Sequence, residues 1–275
     1  WQGRNHPMRG DNAVLIRGGG DLATGVALRL HRAGIHVAIA ELPQPLAVRR
    51  TVSFAEAVYE GAHTVEGVES RLVEANQLST WEEANCIPVI VDPDANLLGM
   101  IQFTVVVDAR LLKSPPAPLP APAPLHIGLG PGFTAGSDCH AVIETRRGHT
   151  LGRVYWSGST QPDSGEPEGD PRRVLRSPAG GVIIGVKNIG EYCAEGEVVA
   201  MIDNQFPVTS PFGGMLRGLI RSGLQAPKGL KIGDVDVRND LSACFLASDK
   251  ALAIAGGALE AILAKPEIRS KLFVS

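Results

Sequence analysis

The stretch Val14-Leu15-Ile16-Arg17-Gly18-Gly19-Gly20-Asp21-Leu22-Ala23-Thr24-Gly25 decides the fold. An apolar run enters a triple glycine, and a segment rich in alanine and leucine follows. That pattern is a strand, a tight turn and a helix. Gly18, Gly20 and Ala23 fit G-x-G-x-x-A. There the first glycine makes the turn, the second lets a phosphate approach the backbone, and the small third residue lets helix and strand pack closely. Gly19 and Asp21 complete the loop, and the amides that open the helix would face an anion. A second reading, glycines that serve packing alone, stays open because such folds host many functions.

Working outward, Leu22, Val26 and Leu30 recur at i+4 in a helix over 22–33, and Gly34 ends it. His36–Ala40 is a second strand ending in Glu41. Glu41 lies where dinucleotide-binding folds place an acid for a ribose hydroxyl, or it is an ordinary solvated strand end. Arg49 and Arg50 either meet a ribose phosphate or another anion, or form a charged loop. Ser53 and Glu56 have capping-box spacing, which predicts a helix over 53–60. Thr64–Val73 reads as extended, and 79–83 begins a short helix. Ile87–Val91 and Thr104–Asp108 are unbroken apolar runs, as expected of parallel strands buried on both faces. Asp92 and Asp108 close such strands at the edge where these sheets bind ligands.

Residues 114–124 are proline-rich and extended, either a spacer or a long loop within one fold. Leu125–Leu129 then runs into Gly130-Pro131-Gly132-Phe133-Thr134-Ala135-Gly136. Gly128, Gly130 and Gly132 read as a second anion-binding nest facing the same cleft. The next segment, 139–145, reads as a strand. It brings His140, Glu144 and, shortly after, His149 forward as acid–base candidates. His140 and Glu144 share a strand face at i, i+4 but are spread along it. No metal site is read from this set. Cys139 would act as a nucleophile only if its thiol were activated.

Composition narrows the classes. The 275 residues are 44% hydrophobic and 20% charged, ordinary for a globular chain, and suit one large or two modest domains. A net charge of −3 gives no electrostatic case for nucleic acid. No apolar run reaches the ~20 residues of a spanning helix, and the first residues lack a signal-peptide core. Met8 reads as the natural start. Cys86, Cys139, Cys193 and Cys244 are scattered and suit reduced thiols in a cytoplasmic protein.

Three segments together, 14–25, 41–61 and 127–136, resemble the YqeB-type family, and the resemblance continues through 140–149. It implies a maturation or accessory role beside selenium-dependent molybdenum hydroxylases. It also implies partnership with the hydroxylase or with other maturation proteins. The proline run 112–124 departs from that pattern.

The polar stretch 156–171 is the best domain boundary. Beyond it, Ser177–Asp203 aligns without gaps on Ser210–Asp236, a period of 33 with eight of 27 positions identical. Duplicated β-rich arms with glycine turns cannot bury a core singly and must interlock. The repeat resembles the barrel-sandwich hybrid of biotinyl and lipoyl domains. Its turn 202–207 lacks the carrier lysine, which suits a docking module or an oligomer interface. Ser248 caps a helix over 249–263.

The expected architecture is therefore α/β: a Rossmann-like, mostly parallel sheet domain over 12–155 and a barrel-sandwich-like repeat domain over 172–239. A helical segment over 240–275 follows, which either stands apart or packs on the first domain. Three functions stay open. The leading one is a maturation factor binding a nucleotide, a nucleoside triphosphate or a nucleotide-linked molybdenum cofactor at the two glycine loops. The others are an NAD-dependent oxidoreductase, for which no hydride-transfer constellation is present, and a non-catalytic hydroxylase scaffold. Neither nucleic acid nor membrane is an expected partner; a homo-oligomer is compatible with each reading.

Overall fold

In the computed structural model, residues 10–273 are described, apart from 82, 84 and 166–168. Met8 and part of the helix expected over 79–83 lie outside them. The chain forms two units. One comprises the residues up to Pro45, Phe54–Asp163 and Ala247 onward; the other comprises Leu46–Ser53 and Ser164–Leu246. The main crossover falls within the polar stretch 156–171. In addition, residues 46–53 join the second unit and the C-terminal helices join the first.

The first unit is built on β1 (Ala13–Arg17), α1 (Asp21–Arg32), β2 (His36–Glu41), α2 (Ala57–Glu60), β3 (Ala62–Val65), β4 (Val68–Leu72), β5 (Cys86–Val91), β6 (Val105–Asp108), β7 (Leu125–Leu129), β8 (Thr134–Ala135), β9 (Ala141–Ile143), β10 (Val154–Tyr155) and β11 (Gly158–Ser159). Nine strands make one sheet in the order β10-β9-β7-β6-β1-β2-β5-β4-β3. β5, β2, β1, β6, β7 and β9 run parallel side by side. Numbered by their own sequence, these six have the order 3-2-1-4-5-6, that of the dinucleotide-binding fold. The order reverses between β1 and β6. β1, β2, β6 and β7 are buried along their whole length, which is why they read as unbroken apolar runs.

α1 covers one face together with the C-terminal helix, which we introduce as α3 (Asp249–Leu263); α4 (Pro266–Leu272) follows. The Ser248 hydroxyl accepts from the Ala251 N–H and caps α3. The two helices meet closely: a Cβ on Gly25 would lie 2.8 Å from the Ala251 Cβ. By alternation, Leu15, Arg17, Val106, Asp108 and His126 face the other way. That side is covered by irregular chain. Leu78, Trp81, Leu97, Leu98, Phe103 and Ala123 pack there against Leu15, Ala38 and Val106. Leu119 and Ala121 of the proline-rich segment pack on the same core. The segment is thus a strap across the sheet within one unit.

Local corrections follow from nonlocal partners. The capping box at Ser53 does not form: the Ser53 hydroxyl donates back to the Arg49 carbonyl, and 54–56 is a 3₁₀ turn before the short α2. The extended stretch 64–73 holds the end of β3, the turn at Glu66 and Gly67 with positive φ, and β4, which pair as a hairpin.

The second unit holds β12 (Val174–Arg176), β13 (Gly181–Gly185), β14 (Tyr192–Cys193), β15 (Val198–Ile202), β16 (Phe206–Thr209), β17 (Gly214–Leu219), β18 (Gln225–Ala226) and β19 (Lys231–Asp236). They form two four-stranded antiparallel sheets, β12-β19-β17-β14 and β16-β15-β13-β18. Ile183, Val199, Leu216, Ile232 and Val235 fill the core.

Candidate functional site

The glycine loop leaves β1 at the point where strand order reverses, the crevice in which open α/β sheets bind ligands. Gly18 has φ +92, a conformation that favours glycine, and its N–H donates to the Ala40 carbonyl at 2.8 Å. Gly19 is closed in. Its N–H donates to Glu41 Oε2 at 2.5 Å, its carbonyl accepts from the Ala55 N–H, and a Cβ there would stand 2.9 Å from the Ala55 nitrogen. Gly20 is the N-cap of α1, and a Cβ on it would meet nothing within 4 Å. Asp21 opens the helix, and Ala23 is buried against the sheet as the motif requires.

Glu41 takes a different role from the ribose acceptor expected at its position. Its second oxygen accepts from the Leu42 N–H at 2.6 Å. Burial pushes its carboxyl up, partly countered by the two backbone donors from Leu42 and Gly19. Both oxygens are therefore engaged in holding the loop on β2.

Beside the loop lies an ionic cluster that sequence reading noted only through Asp108. Asp108 is fully buried and lies next to Arg17 in register. Arg17 Nη1 approaches Asp108 Oδ2 at 3.2 Å, while Arg110 grips the same carboxylate with Nε at 2.9 Å and Nη2 at 2.7 Å. Two guanidiniums thus share one carboxylate at the strand-order reversal. Burial pulls Arg17 below its ordinary value, and Asp108 pulls it back up. The signal was available: a charged residue closing a fully apolar strand must find a buried partner. Asp92, the other strand-end acid, caps a turn by accepting from the Asn96 and Leu97 N–H groups, each at 2.9 Å.

The remaining candidates disperse. Arg49 donates to the carbonyls of Ala243 and Leu246, and Arg50 to that of Leu219, all within the second unit. Gly128, Gly130 and Gly132 of the second loop are accounted for by packing. A Cβ on Gly128 would strike the Phe133 ring, one on Gly130 would lie 2.5 Å from Thr145 Oγ1, and one on Gly132 would lie 2.6 Å from the Leu112 carbonyl. At these three positions the loop makes room for its neighbours rather than lining an open nest, whereas a Cβ on Gly136 would meet nothing within 4 Å.

His140, Glu144 and His149 are not assembled into an acid–base set. His140 precedes β9 and Glu144 follows it, and four extended residues span about 13 Å. His140 Nδ1 accepts from the His126 N–H at 2.9 Å. Glu144 is fully buried and accepts from the Arg146 and Gln161 N–H groups at 2.8 and 2.9 Å. His149 is exposed, and its carbonyl accepts from Arg153. Burial pushes the Cys139 thiol up to about 11, the reverse of activation. All four cysteines are free and buried. Among the described residues, no group of three or more His, Cys, Asp or Glu is placed to hold a metal, and no helix is long and apolar enough to cross a membrane.

Fold order and glycine loop together define an α/β protein built on a large, mostly parallel sheet. No family model matches the chain. It is 46% identical over 264 residues to the "Uncharacterized protein YqeB" of Escherichia coli (strain K12), a match covering 94% of this chain and 48% of that protein. The chain spans about half the length of the relative it matches. Among solved structures, an aspartoacylase family protein from Mesorhizobium loti aligns at a TM-score of 0.25 with 11% identity, covering 84% of this chain and 86% of that one. That likeness is too distant to carry an argument.

Proposed function

We propose that the first unit binds a phosphate-bearing ligand, a nucleotide or a nucleotide-linked cofactor, at the Gly18–Gly20 loop. The chain then serves as an accessory factor in the maturation of a selenium-dependent molybdenum hydroxylase. One observation carries the binding reading: within the Gly18–Gly20 loop, Gly20 has open space before it, at a helix N-terminus on the strand-order reversal. Maturation rests on the motif resemblance and on the similarity to YqeB. The dinucleotide-oxidoreductase reading loses its footing, because Glu41 is engaged by Gly19 and Leu42.

The second unit fits a docking role as a duplicated, barrel-sandwich-like module. The Gly190 N–H donates to the Leu216 carbonyl and the Gly223 N–H to that of Ile183, the same bond exchanged between positions 33 apart. Tyr192 pairs with Met215 as Gln225 pairs with Val182.

Native mass spectrometry of the chain purified alongside its hydroxylase tests the whole reading. The expected result is a bound phosphorylated mass together with a hydroxylase complex. A complex without any ligand mass, even after adding ATP and NAD, would reduce the chain to a scaffold.

A further inference from the structure

The carboxyl edge of the sheet holds one more charged group beside the glycine loop, Arg110. β1 and β6 end side by side with Arg17 opposite Asp108, where the strand order reverses. Just past β6, the Ala109 N–H donates to the Arg17 carbonyl at 2.9 Å. A Cβ on Gly18 would lie 3.5 Å from the Ala109 carbonyl oxygen and 3.7 Å from the Arg110 backbone nitrogen. Arg110 therefore leaves the sheet alongside the start of the glycine loop, at the mouth of the crevice.

The two arginines of the cluster differ in what they have left to give. Arg17 is 5% exposed and is held from several sides: Nη1 faces Asp108, and Nη2 leans on the Pro93 carbonyl at 3.5 Å. Burial lowers it below its ordinary value; Asp108, Asp92 and Asp94 work against that, and Arg110 with it. Arg110 is held by one group. Asp108 takes its Nε and Nη2, along one edge of the guanidinium. Among the described residues Nη1 has no hydrogen-bond partner, yet it is not buried, and the side chain is 29% exposed. Two N–H donors thus stay available on a planar group that Asp108 has already fixed. Such a guanidinium loses little freedom on gripping an oxyanion, and the bond is charge-assisted.

A local turn alone does not account for this placement. The same Asp-x-Arg arrangement recurs at Asp170–Arg172 and Asp236–Arg238, where the acid accepts from both the arginine N–H and its guanidinium. Those arginines lie in the second unit, with side chains 68% and 65% exposed. At Asp108 the acid is fully buried at a strand end, and its arginine is drawn in beside the glycine loop.

The helix that opens at Gly20 packs on one face of the sheet, and Asp108, with Arg110 on it, looks to the other. One phosphate at the start of α1 leaves Arg110 idle. A chain of phosphates laid across the edge meets both. We infer that the ligand of the Gly18–Gly20 loop carries a phosphate chain, as a nucleoside di- or triphosphate does, and that Arg110 selects it over a monophosphate. This inference rests on the phosphate reading of that loop.

ATP and AMP titrated into the ¹⁵N-labelled full chain, read at the backbone amides of 18–22 and at the Arg110 Nε–H, test it. Both nucleotides should move the amides, and only ATP should move the Arg110 signal. ATP should bind at least about tenfold tighter than AMP. Arg110→Gln should bring ATP down to the level of AMP, and Arg110→Lys, which keeps the charge without the planar fork, should fall between. If Arg110→Gln fails to fold, the Arg110 signal of the unmodified chain decides by itself. If neither nucleotide moves the amides, the loop reading fails and the role of Arg110 falls with it. If both move the amides but ATP leaves the Arg110 signal unmoved, or keeps its advantage in Arg110→Gln, the loop reading stands and selection by Arg110 is refuted.

Discussion

Replacing Glu41 with alanine should cost the fold about 1–3 kcal/mol, and the structure says why. Glu41 is 7% exposed, and its carboxylate accepts from the Gly19 and Leu42 N–H groups. Gly19 is buried, so its orphaned N–H loses ~1–3 kcal/mol. Leu42 is half-exposed, and water can replace the carboxylate at its amide. Truncation also removes one buried methylene, worth about 0.8 kcal/mol. Relief of the buried charge offsets part of the sum. Because burial raises the folded-state pKa above its ordinary 4.5, the native protein binds a proton more tightly than the unfolded chain. The stability this confers is fully present below the unfolded pKa and is lost as pH rises through the folded value. The gap between wild type and Glu41→Ala should therefore narrow from pH 4 to pH 7. Urea denaturation at both pH values measures it. A loss below about 1 kcal/mol, or a gap that widens with pH, would refute the loop-holding role.

Other expectations rest on single contacts. Gly25→Val should cost about 1–3 kcal/mol, read as a lowered thermal midpoint, because its Cβ would press on Ala251 across the α1–α3 contact. Asp108→Asn should cost about 3 kcal/mol in urea denaturation by leaving Arg17 buried beside a neutral amide, whereas Arg110 can turn to solvent. Cys139 should react with iodoacetamide at pH 8 far more slowly than a free thiol, followed by mass spectrometry, because its thiol titrates near 11.

What the sequence reveals and what it hides divide along physical lines. Strands buried on both faces write themselves as unbroken apolar runs, so 14–16, 36–40, 87–91, 104–108 and 125–129 are legible. Gly18-Gly19-Gly20 between strand and helix is equally local. The destinations of polar side chains are not local. Glu41 looks like a ribose acceptor until Gly19 is seen beneath it. Arg49 and Arg50 look like anion ligands until the carbonyls of 243, 246 and 219 claim them. The glycines of 128–132 advertise an open nest, but only the fold brings Phe133, Thr145 and Leu112 into the space a side chain would fill.

Ligand binding at this loop depends most directly on the open front of Gly20. ATP titrated into the ¹⁵N-labelled chain, followed through backbone amides, tests it. Saturable shifts should centre on residues 18–22 and disappear in Gly20→Val, a variant whose added Cβ meets nothing within 4 Å. If ATP leaves those amides unmoved, or binds Gly20→Val as well as it binds the wild type, the loop is a packing turn and the ligand-binding reading is wrong.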